Sequence, residues 1–464
     1  MTQVNEYDVI IVGAGPSGIF AALELSQIPQ VRVLLVDKGH LIEKRRCPMR
    51  EQGGPCRHCQ PCNILNGWGG AGAFSDGKLT LGTAVGGHLA EIIGEEAAQK
   101  LVQEADALYC AFGAPDKVYG KPTPEIEALE ERAMLVGLRF VVTPIRHMGT
   151  ERSAEIMQAM EKTLRERGVE IRMRTTVDRV LVADSRVQGV KLRNGEVLRA
   201  PYVILGPGRE GAAWLAQTAQ ALGLTMARNP VDLGVRVELP AAVLKPITDL
   251  VYESKFIYTS RQFDDQIRTF CMCPYGEVST EYAGDVMTVN GHSYAHHKTA
   301  NTNFALLVSK TFTEPFNDPI AYGKSIARLA NLLSGGIIVQ RLGDLRAGRR
   351  STPERIARGL VQPTLPSAVP GDLNLVLPYR YVANLLEMID ALDKLAPGVG
   401  APSTLFYGVE VKFYSNRLRL TPELETDIPG LFACGDGAGV TRGLIQASAS
   451  GLIAARAIRQ RLSA

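Results

Sequence analysis

Short, wholly apolar runs alternate along the chain with longer amphipathic stretches, the pattern of strands buried on both faces and set between helices. Asp8-Val9-Ile10-Ile11-Val12 is the first such run. It passes into Gly13-Ala14-Gly15-Pro16-Ser17-Gly18 and a stretch rich in Ala and Leu, which predicts strand, glycine turn and helix. Residues 31–36 predict a second strand ending at Asp37, and residues 92–111 an amphipathic helix. Residues 165–177 read as helix then strand, and 187–196 as a small β-meander with a hairpin turn at Asn194-Gly195. Ala200-Pro201-Tyr202-Val203-Ile204-Leu205 is a further apolar run, ending in Gly206-Pro207-Gly208. Gly234-Val235-Arg236-Val237-Glu238-Leu239 opens a β-rich region. Near the C-terminus, Ile428-Pro429-Gly430-Leu431-Phe432-Ala433-Cys434 runs into Gly435-Asp436-Gly437-Ala438-Gly439 and a closing helix.

This order predicts an α/β chain with a Rossmann-like nucleotide-binding domain and an inserted α+β cap or substrate domain. The expected organisation is a nucleotide domain in three parts, residues 1–85, 150–228 and 401–464. A helical insertion over 86–149 and a cap over 229–400 interrupt it.

The first glycine turn carries a physical reason. Gly13 permits a tight turn, Gly15 lets backbone N–H groups approach a pyrophosphate, and Gly18 lets the helix pack on the strand. Asp37, nineteen residues after Gly18, is placed to accept hydrogen bonds from ribose hydroxyls. Two other stretches, 67–72 and 206–211, also match GxGxxG. Only 13–18 has strand, turn, helix, strand and acid in order. The two ends of the chain thus predict one FAD site.

On these motifs the chain resembles the two-dinucleotide-binding-motif flavoproteins, glutathione-reductase-like members of the NAD(P)/FAD-dependent oxidoreductase superfamily. The resemblance implies that Gly435, Asp436 and Gly437 reach the ribityl chain and pyrophosphate and that the backbone near Val177 touches adenine. It also implies that Gly206 and Gly208 return toward the flavin, and that Gly13, Gly15, Pro16, Ser17, Gly18, Asp37 and Lys38 hold the remaining half. A narrower resemblance, to a family of largely uncharacterised bacterial FAD-dependent dehydrogenases, rests on three segments. They are Gly69-Gly70-Ala71-Gly72-Ala73-Phe74-Ser75-Asp76-Gly77-Lys78-Leu79, Phe270-Cys271-Met272-Cys273-Pro274 and Thr288-Val289-Asn290-Gly291-His292-Ser293. It implies FAD and redox chemistry, with Gly69, Gly70, Ala71 and Gly72 against the flavin, but no agreed substrate. The chain departs from that family at Tyr275, where a glycine is common, and at His292, where a methionine is usual.

Four of the eight cysteines, Cys47, Cys56, Cys59 and Cys62, fall within sixteen residues. The x2–x2 triplet with a Cys-Pro resembles the ligand run of iron–sulfur ferredoxins, which makes a [4Fe–4S] cluster one reading; zinc and free thiols stay open. Arg45, Arg46, Arg50 and Arg57 would offset thiolate charge. Lys78 is placed to stabilise a reduced flavin, or to be an ordinary surface lysine. His292, Tyr294 and His296 are the densest set of proton donors, candidates for substrate-side acid–base chemistry against a structural role. Cys271 and Cys273 would share one face of a strand, as buried apolar groups or as a redox dithiol.

Composition narrows the partners. Lys and Arg number 51 against 48 Asp and Glu, a net +3 that points to no nucleic-acid partner. No apolar run reaches the roughly 18 residues of a membrane span. The first strand opens at once, which predicts no cleavable leader and a cytoplasmic protein. The expected activity is an FAD-dependent dehydrogenase or reductase of a small organic substrate, with ferredoxin or NAD(P)H as electron partner. A flavin monooxygenase and a non-redox flavin- or lipid-binding scaffold are the alternatives.

Overall fold

The structure is a computed structural model. It describes residues 5–48, 51, 57, 59–75, 77–227, 230–251, 253–283, 285–293, 298–312, 315–316, 318–413 and 417–463. The chain forms two compact units, one from residues 1–119, 143–228 and 415–464, the other from 120–142 and 229–414.

The first unit is a Rossmann-like α/β body. Its five-stranded sheet runs Leu431–Ala433, Tyr202–Leu205, Val9–Val12, Val33–Val36, Glu170–Arg172, parallel throughout. All four residues of Val9–Val12 and of Val33–Val36 are buried, as a sheet covered on both faces requires. The helix Pro16–Leu25 joins those two strands and packs on the closing helix Leu444–Leu462. The chain leaves Val9–Val12 for one neighbour and reaches the other only after long excursions. The order therefore reverses between Val9–Val12 and Tyr202–Leu205, the place where open α/β sheets bind ligands beyond their carboxyl ends.

The predicted meander is present as Val177–Ala183, Arg186–Leu192 and Val197–Arg199, with Asn5–Glu6 added at its edge. At the expected hairpin turn, Gly195 takes φ +92° and the Asn194 side chain accepts from the Glu196 N–H. The expected helix over 92–111 is instead two helices, Leu89–Ile93 and Glu95–Ala111. Gly94 separates them at φ +88°, a backbone no helix continues through.

The second unit is built on an eight-stranded sheet, in the order Val369–Pro370, Ile338–Arg341, Leu405–Lys412, Val231–Pro240, Asn301–Lys310, Gln266–Cys273, Lys255–Thr259, Leu138–Val141. Every neighbouring pair is antiparallel except the first. At its centre Arg236 and Glu410 are both fully buried and form a two-point ion pair, Nε to Oε2 at 2.8 Å and Nη2 to Oε1 at 3.0 Å. Arg236 also donates to the Cys271 carbonyl (2.8 Å), Asn303 Oδ1 (3.1 Å) and Asn290 Oδ1 (3.1 Å). All five guanidinium donors are therefore used, the condition under which so deep a charge is tolerated.

Candidate FAD site

The site lies in the first unit, where four glycine turns converge. Val12 ends its strand and Gly13 turns at φ +108°, its N–H donating to the Val36 carbonyl at 2.8 Å. A Cβ on Gly13 would stand 2.1 Å from the Gly206 carbonyl oxygen, so this turn and the one after Tyr202–Leu205 touch backbone to backbone. A Cβ on Gly437 would meet the Gly208 carbonyl oxygen at 2.5 Å, which brings in the C-terminal turn. Ser17, buried at the head of the first helix, is the common neighbour. Its Oγ lies 2.8 Å and 2.9 Å from where Cβ atoms on Gly206 and Gly435 would stand. The fourth turn closes from the other side. The Gly69 N–H donates to the Ala14 carbonyl at 2.7 Å, and a Cβ on Gly70 would lie 3.1 Å from the Gly15 Cα. Gly72 packs so closely on Leu444 that a Cβ would stand 2.1 Å from its Cδ2.

Beside the first and third turns opens a cavity of about 340 Å³, lined by Gly13, Asp37, Lys38, Val177, Pro207 and Trp214 among others. Asp37 sits at its edge and braces the first turn, Oδ2 accepting from the Ala14 N–H at 2.9 Å and Oδ1 from the Gly39 N–H at 2.7 Å. Lys38 is ion-paired with Glu210. Pro16 opens the helix with no N–H to satisfy, and no side chain caps the Gly15 end. The first helical N–H groups and the positive end of the helix dipole therefore remain for an anion.

Asp436 faces the exposed Arg209 at 3.5 Å and accepts from the Thr441 hydroxyl at 2.7 Å. Its side chain is only 19 % exposed. Burial raises its carboxyl above the ordinary range, against the pull of Arg209 and Thr441. A largely buried acid whose pKa stays raised despite a cation at 3.5 Å is a reason to look for its role in ligand binding. Just beyond it, Arg442 Nη2 lies 3.3 Å from His88 Nε2, and His88 Nδ1 lies 2.6 Å from Glu91. Burial pulls the His88 pKa down despite Glu91. Neither His88 nor the part of Arg209 was read from sequence. The signals were Gly86-Gly87-His88, a glycine pair before a histidine, and Arg209 within the third glycine turn. Gln446 Oε1, buried in the first turn of the closing helix, has no hydrogen-bond partner in the chain.

An orphaned acceptor, open helix N–H groups and glycines at which added side chains would collide fit an extended, phosphate-bearing group such as FAD.

The cysteine segment differs from expectation. Among the described residues no group of three or more His, Cys, Asp or Glu side chains is placed to hold a metal, so Cys47, Cys59 and Cys62 do not converge; Cys56 lies outside those residues. Arg45, expected to offset thiolate charge, instead donates to the carbonyls of Asn63 (2.8 Å), Ile64 (2.8 Å) and Trp68 (2.6 Å). Desolvation lowers its pKa to about 10, with Asp37 and Cys62 holding it up. The arginine fastens the backbone of the segment that leads into the Gly69–Gly72 turn, because carbonyl oxygens must be satisfied in a buried loop.

Lys78 is half-buried on the strand Lys78–Thr80 of the first unit. His292 is exposed at the end of the strand Val286–His292 in the second unit, while Tyr294 and His296 lie outside the described residues. The expected common face for Cys271 and Cys273 is replaced by a bulge: Phe270 pairs with Ala305 but Cys273 with Asn303. Tyr275 takes φ +54°, the left-handed region glycine enters without strain.

Comparison with known proteins gives two family matches. Residues 230–413 match the FAD-dependent protein, C-terminal domain-like family, and residues 129–240 the pyridine nucleotide-disulphide oxidoreductase family. An uncharacterised protein of Clostridium beijerinckii is 25% identical over 468 residues, 96% of this chain and 79% of that one. Among solved structures, the 3-ketosteroid-Δ4-(5α)-dehydrogenase of Rhodococcus jostii RHA1 is 15% identical with a TM-score of 0.45, covering 99% of this chain and 97% of that one. L-proline dehydrogenase of P. horikoshii is 11% identical with a TM-score of 0.40, covering 99% and 94%. The two family matches support the class of FAD-dependent oxidoreductases. The 230–413 match, to a family of FAD-dependent proteins, is in line with the resemblance stated on the sequence motifs.

Proposed function

We propose that this oxidoreductase is a dehydrogenase or reductase of a small organic substrate, with FAD seated on the four converging turns. The observation that carries the reading is the close backbone approach of the turns at Gly13, Gly70, Gly206 and Gly437, with a cavity edged by Gly13, Asp37 and Pro207 beside them. Bound there, FAD supplies two-electron exchange with a substrate and one- or two-electron exchange with a partner. The chain's own part is to bind and orient. The Gly15 turn and the first N–H groups of Pro16–Leu25 take the pyrophosphate, and Asp37 the adenosine ribose. Val177 lines the adenine end, and Asp436 takes the hydroxyls of the ribityl chain. Lys78 holds positive charge for the reduced state. His292 is the described candidate for a substrate-side proton donor.

A [4Fe–4S] cluster or a zinc on Cys47, Cys56, Cys59 and Cys62 has no support among the described residues, and no electron path is assigned through it. Iron, sulfide and zinc content after anaerobic reconstitution, compared with Cys59→Ala, decides that question separately.

The test of the main reading is anaerobic reduction of the purified protein. Bleaching of a bound flavin by NADH, NADPH or reduced ferredoxin, followed by reoxidation with an organic acceptor, is the expected outcome. A bound flavin that no such donor reduces would point to the scaffold alternative.

A further inference from the structure

Outside the FAD site, the most informative cluster is Cys271 and Cys273 in the second unit. The two sulfurs stand 4.0 Å apart. Two residues apart on a regular strand, such side chains would leave one face in parallel; here the bulge intervenes and Cys271 takes φ +45°. A left-handed backbone at a residue other than Gly, Asn or Asp is uncommon and strained, so the rest of the fold must hold it there. Arg236 does so, its Nη1 donating to the Cys271 carbonyl at 2.8 Å. Cys273 Sγ lies 3.4 Å from the same oxygen. The two thiols also differ in access. Cys271 is half-buried and Cys273 is 3 % exposed.

The geometry points to Cys271 and Cys273 as an oxidisable dithiol that closes reversibly to an intramolecular disulfide, with a small disulfide of the glutathione type as the oxidant. The gap of 4.0 Å has to fall to about 2.05 Å. The bulge interrupts the regular ladder register between Phe270 and Cys273, where the backbone departs from strand geometry and brings the two sulfurs together. The chemistry runs in two exchanges. The Cys271 thiolate attacks one sulfur of the small disulfide, forming a mixed disulfide and releasing one thiolate. The Cys273 thiolate then attacks the Cys271 sulfur, forming the Cys271–Cys273 bond and releasing the second thiolate. The two protein thiols give up two protons, which the released thiolates take up, and two electrons pass from the pair to the small disulfide.

The division of labour follows from access: the outer sulfur meets the reagent and the inner one resolves it. Desolvation lowers the Arg236 pKa, but Glu410 first and then Cys271 and Cys273 outweigh it and hold the guanidinium charged beside the pair. This site lies outside residues 129–240, the segment that matches the disulphide oxidoreductase family.

The test uses the full chain with its flavin, equilibrated anaerobically at a series of oxidised-to-reduced glutathione ratios, acid-quenched, denatured and alkylated for peptide mass mapping. The expected result is joint, reversible protection of Cys271 and Cys273 in one peptide two hydrogens lighter, rising with the ratio. In Cys273→Ser the same treatment leaves glutathione attached to Cys271, whereas in Cys271→Ser nothing adds to Cys273. Full alkylation of both cysteines in the wild-type chain at every ratio would overturn the proposal. So would stable glutathione on Cys271 with Cys273 intact, or pairing of either with another cysteine. The wild-type mapping decides the matter even if a variant fails to fold.

Discussion

Gly15 and Gly18 stand three residues apart in one motif, yet the structure gives their methyl groups different fates. A Cβ on Gly18 would lie 1.9 Å from the Gly13 carbonyl oxygen and 3.2 Å from Ile11 Cγ2. Both the helix and the turn are buried, so the clash can be relieved only by moving backbone, and the upper end of the overpacking range applies, about 3 kcal/mol. Improved helix propensity returns up to about 1 kcal/mol, leaving a net loss near 2 kcal/mol. A Cβ on Gly15 meets nothing nearer than the Gly70 Cα at 4.0 Å, and its φ of −80° suits any residue. Gly15→Ala should therefore cost the apoprotein under about 1 kcal/mol. That methyl instead stands where a phosphate must approach the turn. Losing one or two hydrogen bonds to a charged group, at about 1.5–3 kcal/mol each, weakens FAD binding by roughly a hundredfold. The assay pairs urea unfolding of apoprotein with FAD titration followed by flavin fluorescence. Gly15→Ala should separate the two readouts and Gly18→Ala should damage both, while Gly15→Val should strip the flavin. Wild-type FAD affinity in a stable Gly15→Ala protein would refute the placement of the pyrophosphate.

Three further outcomes are expected. Asp37→Ala removes the acceptor of the Ala14 and Gly39 N–H groups at the cavity edge and should weaken FAD binding by about 1–3 kcal/mol, read by the same titration. Glu410→Gln leaves the fully buried Arg236 without its counter-charge and should cost about 3–5 kcal/mol in denaturant unfolding; a loss below 1 kcal/mol would mean that the charge is hydrated. Burial would raise the Asp265 carboxyl, but hydrogen bonds from Arg380, Lys310 and Asn384 outweigh it and hold the pKa well below the ordinary range. A carboxyl depressed on folding contributes stability that is present above its unfolded pKa, about 3.9, and lost as pH falls through its folded value. Asp265→Asn should accordingly cost about 1–3 kcal/mol at pH 7 and progressively less below pH 4, in urea melts across that range.

The nucleotide half of the protein was legible because its constraints are local. A strand, a tight turn and a helix with glycine at fixed offsets leave few alternatives, and both Gly13 and Gly18 sit where a Cβ would strike backbone. The position of Asp37 at the end of the second strand was legible for the same reason, though not its hydrogen bonds to the Ala14 and Gly39 N–H groups. The meander was readable from Asn194-Gly195. What escaped depended on partners distant in sequence. Arg45 looked like a counter-charge for cysteines, but the carbonyls it satisfies belong to residues 63, 64 and 68, and nothing in its neighbours announces that. The bulge at Cys271 is set by Arg236 and the register of Asn301–Lys310, neither visible in a five-residue motif. The break at Gly94 was visible as a glycine, yet hydrophobic periodicity continued across it and outweighed that signal. Tyr275 keeps a left-handed backbone with a bulky side chain in place, which no local sequence signal announces.

The central claim is that the converging turns hold one FAD. Its most direct test is the absorption spectrum of the purified protein, stripped and then titrated with FAD, with the released cofactor identified after denaturation. The account predicts a yellow protein that takes up one FAD per chain and releases intact FAD rather than FMN. A folded, colourless chain that binds no FAD at concentrations far above those typical of flavoproteins would contradict it.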